Sequence, residues 1–221
     1  MGSRLGLTAR AAVASAIVAC ATATPVVAIA GQQAPPQAVQ GEPPLGAFAS
    51  QKLAVMPVQF LRADSLAPVK AAAWAAVRKE LDYSVGSAIA ARGIGRKWPY
   101  AADIVRMAKR NSDYVTDPYS LGAAGLRDAR QKVGDPAPMV VINNLRSLIA
   151  LGDSRFALIP VDLRFSRQGG VVRPVLHLVV VDGRVGQIVW FADVPGDAGP
   201  TFASAEIGAL AQRIADLVAA R

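Results

Sequence analysis

The sequence predicts an α/β domain of the sandwich type, in which helices cover a mixed sheet that ends in an antiparallel meander of three strands. An apolar segment at residues 52–60 predicts an opening strand, and three later apolar segments are joined by short connections that contain glycine. Residues 204–220 then carry a helical period. At 221 residues and 52% hydrophobic content, the chain can bury one substantial core.

Residues 1–30 are typical of a secretory signal, with a basic start, an apolar stretch, and small residues at Ala28 and Ala30 as the cleavage signal. A second interpretation is that the segment ending in Cys20 is a bacterial lipobox, cleaved after residue 19 so that the thiol can be acylated. An uncleaved membrane anchor is a third alternative. We favour the lipobox, which predicts an exported, periplasmic protein anchored to a membrane by its lipidated N-terminus.

Residues 31–51 are rich in Pro, Gln, Gly and Ala and poor in large apolar residues. Such a composition buries too little apolar surface to offset the entropy of ordering, so we expect a disordered tether. The α/β domain is then assigned to residues 52–221.

The first half of the domain should alternate strands and helices. Residues 52–60 are apolar on nearly both sides, as in an interior strand, and Pro57 should interrupt the pairing. Residues 66–92 have a helical period that Gly86 could break. Residues 94–100 are expected to return as a short strand.

Three further helices are predicted before the meander, at residues 101–111, 120–132 and 139–151. The meander follows as strands at residues 156–164, 171–182 and 187–194.

Strict alternation along these strands gives one apolar face and one partly polar face. The closing helix should cover the apolar face, which takes Ala157, Ile159, Val161, Leu163, Phe165, Val172, Leu176, Leu178, Val180, Ile188, Trp190, Ala192 and Val194.

The opening strand KLAVMPV, the hairpin VLHLVVVDGRVGQIVWFADVPGD and the closing helix together resemble one α/β domain of envelope proteins. This group includes the curli-secretion lipoprotein, the lipoprotein activators of penicillin-binding proteins and the amino-terminal domain of TolB. Asp182, Gly186 and Trp190 carry the recurrent strand, turn and strand pattern. The resemblance implies a sandwich, an accessory or scaffolding role and protein partners in the envelope. It implies no channel, since the long hairpins of the curli pore have no equivalent, and residues 96–155 form an insert without a counterpart.

The net charge is +8, of which Arg4 and Arg10 in the leader contribute two, leaving +6 on the mature chain. The basic residues are spread thinly, without the dense run that nucleic-acid binding requires, so we expect no nucleic-acid partner. The single cysteine lies in the leader, which excludes disulfides and cysteine metal sites from the domain.

Few residues are candidates for catalysis or for binding a metal or cofactor. His177 is the only histidine, and the usual motifs for a metal, a nucleophile elbow, a dinucleotide or a phosphate loop are missing from the sequence. We therefore expect no enzyme, metal or cofactor, and a strand histidine without a catalytic role. Aspartates near strand ends, such as Asp153 and Asp193, leave a paired-carboxylate hydrolase as an alternative.

Parity places Asp162, Arg164, Arg173 and His177 on the same, partly polar side of the meander. Two arginines on paired strands would attract an anionic partner or form an internal salt bridge with Asp162. This side is a candidate binding face, with a solvated or helix-covered surface as the alternative.

Trp98 and Tyr100 follow a basic pair and are candidate interface anchors, with burial in the core as the alternative. The leading hypothesis is a non-enzymatic accessory or scaffolding (lipo)protein that binds other envelope proteins. The alternative is a ligand-binding or hydrolytic domain that acts on an acidic cell-wall or surface polymer through Arg164 and Arg173. The sequence predicts no oligomeric state.

Overall fold

The computed structural model describes residues 45–62, 69–168 and 170–220. The predicted signal, with Cys20, Ala28 and Ala30, lies outside the described residues, as does most of the predicted tether. The folded part begins before the expected boundary at residue 52. Leu45–Phe48 forms a short 3-10 helix whose first and last residues are buried, and Phe48 meets Phe156 edge-on with ring centroids 5.2 Å apart.

Five strands form one mixed sheet: β1 Leu53–Val55, β2 Phe60–Leu61, β3 Phe156–Gln168, β4 Val171–Asp182 and β5 Gln187–Pro195. The order is β1-β3-β4-β5, with β2 also paired to β3. β1 and β2 run parallel to β3, whereas β3, β4 and β5 form the antiparallel meander. The predicted fold class is thus confirmed, and the interruption expected at Pro57 falls between β1 and β2.

Among the described residues, four α-helices accompany the sheet: α1 Trp74–Ala91, α2 Ala101–Arg110, α3 Met139–Leu151 and α4 Ser204–Ala219. α1 continues through Gly86, so the suggested break in this helix is wrong. In the part of the chain that the structure describes, no helix is both long and apolar enough to span a bilayer.

The helices lie on both faces of the sheet. α1 and α4 cover one face, where Leu176, Leu178 and Trp190 are buried, so the closing helix covers most, but not all, of the predicted apolar face. The insert supplies the second cover, because α2, α3 and the 3-10 helix Ala123–Arg127 bury the opposite face. The second face, expected to be partly polar, is therefore an apolar core over most of the sheet.

Two β-bulges explain this difference. The register of β3 against β4 shifts between Pro160 and Asp162, and that of β4 against β5 shifts between Val180 and Val181. Each bulge adds a residue and reverses the alternation beyond it. Ile159 consequently packs with the α2 and α3 side of the core, whereas Leu163 packs with the α1 and α4 side.

Two predicted elements of the insert are wrong. Residues 94–100 form turns instead of a strand, because Gly95 adopts a left-handed φ of 64° and the following chain crosses the sheet edge, where Pro99 O accepts the Val55 N–H at 2.9 Å. The helix expected at residues 120–132 is reduced to the 3-10 turn of residues 123–127, since Gly122 is also left-handed, with φ 74°.

Candidate functional site

The predicted binding face occupies one end of the meander, beyond the region that α3 covers. We call this region the polar sheet end and define it as Arg62, Arg127, Asp162, Arg164, Arg173, His177 and Asp193. The structure places the four predicted residues on the same face. Asp162 is the register partner of His177, and no bulge interrupts the β3–β4 ladder from this pair to the pair of Ser166 and Arg173. Parity along β5 also predicts Asp193 on this side, whereas Arg62 and Arg127 were not predicted, because neither belongs to the meander.

Asp162 is the buried centre of this site, with no exposed side-chain surface. Its Oδ2 accepts a hydrogen bond from Arg62 at 2.7 Å, and a guanidinium nitrogen of Arg127 lies 4.0 Å from Oδ1. The Arg127 guanidinium also lies over the Phe60 ring, 4.5 Å from its centroid. The salt bridge expected for Asp162 is therefore made by residues outside the meander, and it ties β2 and the 123–127 turn to β3.

Asp193 on β5 binds the other predicted residues. Its carboxylate pairs with Arg164 and accepts a contact from His177 Nδ1 at 2.8 Å. Burial raises the pKa of Asp193, but the hydrogen bond from His177 and the charge of Arg164 outweigh it, so the pKa lies below its ordinary value. Asp193 is consequently a carboxylate at neutral pH that fixes both neighbours.

Arg173 lies opposite Ser166 rather than opposite Arg164, so the two arginines are staggered along the hairpin. No ion pair links Arg173 to any residue that the structure describes, and its Nε is buried without a hydrogen-bond partner there. Four arginines face two aspartates at the polar sheet end, which leaves a net charge of +2 with His177 neutral. The site can therefore attract anions.

His177 and the Asp193 carboxylate could form two members of a catalytic triad, which would need a nucleophile at the Nε2 atom of His177. His177 Nε2 is buried and, within the described residues, has no hydrogen-bond partner. The described part of the chain therefore brings no nucleophile to the His177–Asp193 pair. Within residues 45–62, 69–168 and 170–220, no group of three or more His, Cys, Asp or Glu side chains is placed to hold a metal ion.

Trp98 and Tyr100, the predicted interface anchors, have different positions. Trp98 is only 5% exposed and donates its Nε1–H to Gln51 O at 2.8 Å, so the alternative of a core residue is the correct one. Tyr100 is half-buried against Gly86 of α1, and its hydroxyl donates to Gly95 O at 3.2 Å. It lines a groove along α1 instead of projecting from the surface.

That groove borders a surface which sequence analysis missed. The exposed residues of α1, which we call the α1 surface, are Ala75, Ala76, Lys79, Tyr83, Ser87, Ala90 and Ala91. Lys79 is the only charged residue among them, and Tyr83 stands at the centre with 72% of its surface exposed. Interface cores are depleted in charge and enriched in tyrosine, so the α1 surface resembles a protein contact more than an ordinary solvated helix face.

Grooves flank Tyr83 on both sides. One, of about 220 Å³, lies between α1 and Tyr100 and includes Ala102 at the start of α2. The other, of about 320 Å³, lies between α1 and α4 and includes Gly208 and Gln212. A ridge bearing one exposed aromatic between two shallow grooves can accept a second helix or a loop.

The signal for the α1 surface was present in the sequence. Positions of an amphipathic helix that face away from the core usually carry charged residues, but here they are mostly alanine and serine. The helical period of this stretch predicts only its buried side, where Leu81, Val85 and Ile89 lie in the core.

A half-buried polar network holds α1 on the sheet. The Asp82 carboxylate accepts the Val58 N–H at 2.8 Å and the Tyr119 hydroxyl at 3.1 Å, and the Arg78 guanidinium lies 3.9 Å from the centroid of the Tyr119 ring. Burial raises the pKa of Asp82 to about 7, against the opposing effect of these hydrogen bonds and of the Arg78 charge. Burial likewise raises the pKa of Tyr119 to about 12, so its hydroxyl is a donor at all physiological pH values.

Known proteins that resemble this chain are distant from it in sequence. No protein-family model matches the chain, and no curated protein matches it. Among solved structures, two PelC dodecamers from Paraburkholderia phytofirmans are similar. The first, a substituted form in space group C2, is 11% identical over 76% of this chain and 88% of that chain, with a TM-score of 0.35. The second, in space group P6, is 13% identical over 85% and 94%, with a TM-score of 0.34, and likenesses at this level carry no argument about fold or function.

Proposed function

We propose that this chain is a non-enzymatic accessory or scaffolding protein of the bacterial envelope that works by binding another envelope protein. The observation that carries the proposal is the α1 surface, an exposed and nearly uncharged helix face with Tyr83 between two grooves. The predicted export signal and the resemblance to accessory lipoprotein domains support a location in the envelope. A lipid on Cys20 would hold the domain near a membrane.

The partner should present a helix or an extended loop with small apolar residues. A helix packed on the ridge around Tyr83 could insert side chains into the grooves on either side, and Ala90 and Ala91 allow the two backbones to approach closely. Single tyrosines at the centre of such contacts often account for about 2 kcal/mol or more of the binding free energy.

The test is a pair of matched substitutions at exposed tyrosines. Tyr83→Asp places a charge at the centre of the α1 surface, whereas Tyr114→Asp does the same at a residue that is 84% exposed and lies elsewhere. Binding to the partner, first identified by periplasmic crosslinking of the unsubstituted chain, should fall by about 30-fold or more for Tyr83→Asp. Equal losses for both variants, or no loss for Tyr83→Asp, would contradict the proposal.

A second candidate function rests on the polar sheet end. Its net charge of +2 favours an acidic cell-wall or surface polymer as a ligand, with Arg173 as the guanidinium that lacks an ion pair in the described structure. Arg164→Ala with Arg173→Ala should weaken binding to a polyanion if this function is correct. Arg130→Ala with Arg184→Ala removes two exposed arginines elsewhere and serves as the control. Equal binding by the two double variants would exclude the polymer site.

A further inference from the structure

A cavity of about 530 Å³ lies between α1, α2 and the loop of residues 112–119. Its volume is within the range of small-molecule sites, roughly 300–1,000 Å³. It shares Lys79 with the α1 surface and no residue with the polar sheet end. Neither proposed function therefore accounts for it.

The walls of the cavity are largely apolar. Val105 and Ala108 contribute from α2, Val115 and Pro118 contribute from the loop, and the Tyr119 ring forms part of the lining. A ligand that fills this space must have an apolar body, because a polar group placed against these side chains would lose its hydrogen bonds to water.

The charged groups that line the cavity favour an anion. Lys79 from α1 and Lys109 from α2 are both exposed, and neither forms an ion pair with a residue that the structure describes. The one acidic residue of the lining, Asp117, accepts the Tyr119 N–H at 3.1 Å and so is used within its own turn. Two lysines against one aspartate leave a net charge of +1 around an apolar space.

The loop that closes the cavity is fixed by one buried and one half-buried hydrogen bond. Gln59 Nε2 donates to Pro118 O at 2.9 Å, and Thr116 is hydrogen-bonded to Asn144 at 3.0 Å. Tyr119 is held by the Asp82 and Arg78 contacts described above. A ligand would therefore enter a formed cavity and would not have to order the loop, which reduces the cost of binding.

We propose that this cavity binds a small amphiphilic carboxylate, with a linear aliphatic chain of medium length inside the walls and the carboxylate beside Lys79 and Lys109. The inference goes beyond the protein-binding function and does not depend on it. A carboxylate fits both features at once, since the chain removes apolar wall from water and the single negative charge matches the net charge of the lining.

The first experiment compares two ligands of opposite charge and equal chain length on the purified chain. Decanoate and decylammonium are titrated below their micelle-forming concentrations, and binding is followed by amide chemical shifts. Decanoate should bind with one-to-one stoichiometry and shift amides of residues 105–119, and decylammonium should bind at least about fivefold more weakly. Equal affinity for the two ligands, no decanoate binding, or shifts confined to other regions would overturn the proposal.

The second experiment uses matched variants, each checked by its amide spectrum for an intact fold. Lys79→Gln with Lys109→Gln should weaken decanoate binding by about tenfold, because each exposed charge contributes a modest attraction. Lys97→Gln with Lys132→Gln removes two exposed lysines outside the cavity lining, so decanoate binding should be unchanged in this double variant. Equal losses in both double variants would overturn the proposal.

Tyr83→Ala separates this inference from the proposed protein contact, because it removes the aromatic ring without placing a charge one helical turn from Lys79. Tyr83 does not line the cavity, so decanoate binding should persist in this variant even where partner binding is lost. A loss of decanoate binding in Tyr83→Ala, with the fold intact, would place the ligand on the α1 surface and contradict the cavity site.

Discussion

Asp82 joins α1 to the sheet, and its replacement by asparagine gives the most quantitative test of this packing. The carboxylate accepts hydrogen bonds from Val58 N and Tyr119 Oη, and burial raises its pKa from 3.8 to about 7. The folded state therefore retains the proton to a higher pH than the unfolded chain does. The protonated Asp82 side chain makes its full contribution to the free energy of unfolding below about pH 4, and this contribution is lost as the pH rises towards 7.

The magnitude follows from the pKa difference. A shift of this size corresponds to roughly 4 kcal/mol if the site is fully shielded from water. Asp82 borders a groove and keeps some contact with solvent, so we expect about 2 kcal/mol. Asp82→Asn keeps an oxygen for the Val58 N–H but cannot ionise, and this contribution to the pH dependence should disappear.

The assay is urea unfolding of the native chain and of Asp82→Asn at pH 5 and pH 8. Because part of the contribution is already lost at pH 5, the Asn variant should become more stable relative to the native chain by about 1 kcal/mol between these pH values. Asp113→Asn, at an exposed carboxylate, corrects for the general effect of removing a negative charge. A difference that does not change with pH, or one that changes in the opposite direction, would refute the assignment of Asp82 as a buried acid that binds its proton.

Three further predictions concern the sheet and its turns. Trp190→Ala should lower the free energy of unfolding by about 3–5 kcal/mol, since this side chain is fully buried in the core and leaves a large cavity. Gly186→Ala should cost about 1–2 kcal/mol, because the β4–β5 turn holds this residue at φ 73°. At Asp182, burial raises the pKa, but hydrogen bonds from Arg155 at 2.9 and 2.7 Å outweigh it, and the pKa is lowered. Asp182→Asn should therefore destabilise the protein by about 1–2 kcal/mol at pH 7 and by less at pH 3, and denaturant unfolding at the two pH values checks the sign.

The elements that the sequence predicted well are those with a strong local period. The meander, α2, α3 and α4 lie within a few residues of their predicted bounds, because their apolar spacing is regular and their ends carry turn residues such as Gly186. Segments 94–100 and 120–132 failed because their glycines adopt left-handed conformations that composition alone does not reveal.

The faces of the sheet were harder to predict than its strands. Parity arguments assume an uninterrupted ladder, but Pro160 has no N–H to donate within a central strand, and the bulge lies beside it. The partners of the candidate residues were also out of reach, since Arg62 lies 100 positions before Asp162 and Asp193 lies 29 positions after Arg164. The α1 surface, by contrast, could have been found from its alanines.

Site-specific photocrosslinking in the native envelope tests the protein-binding proposal most directly. A photoreactive phenylalanine analogue replaces Tyr83 in one chain and Val185, which is exposed at the β4–β5 turn, in another. We expect one discrete crosslinked species from position 83 and none from position 185. Crosslinks of equal yield at both positions, or none at position 83, would contradict a protein contact at the α1 surface.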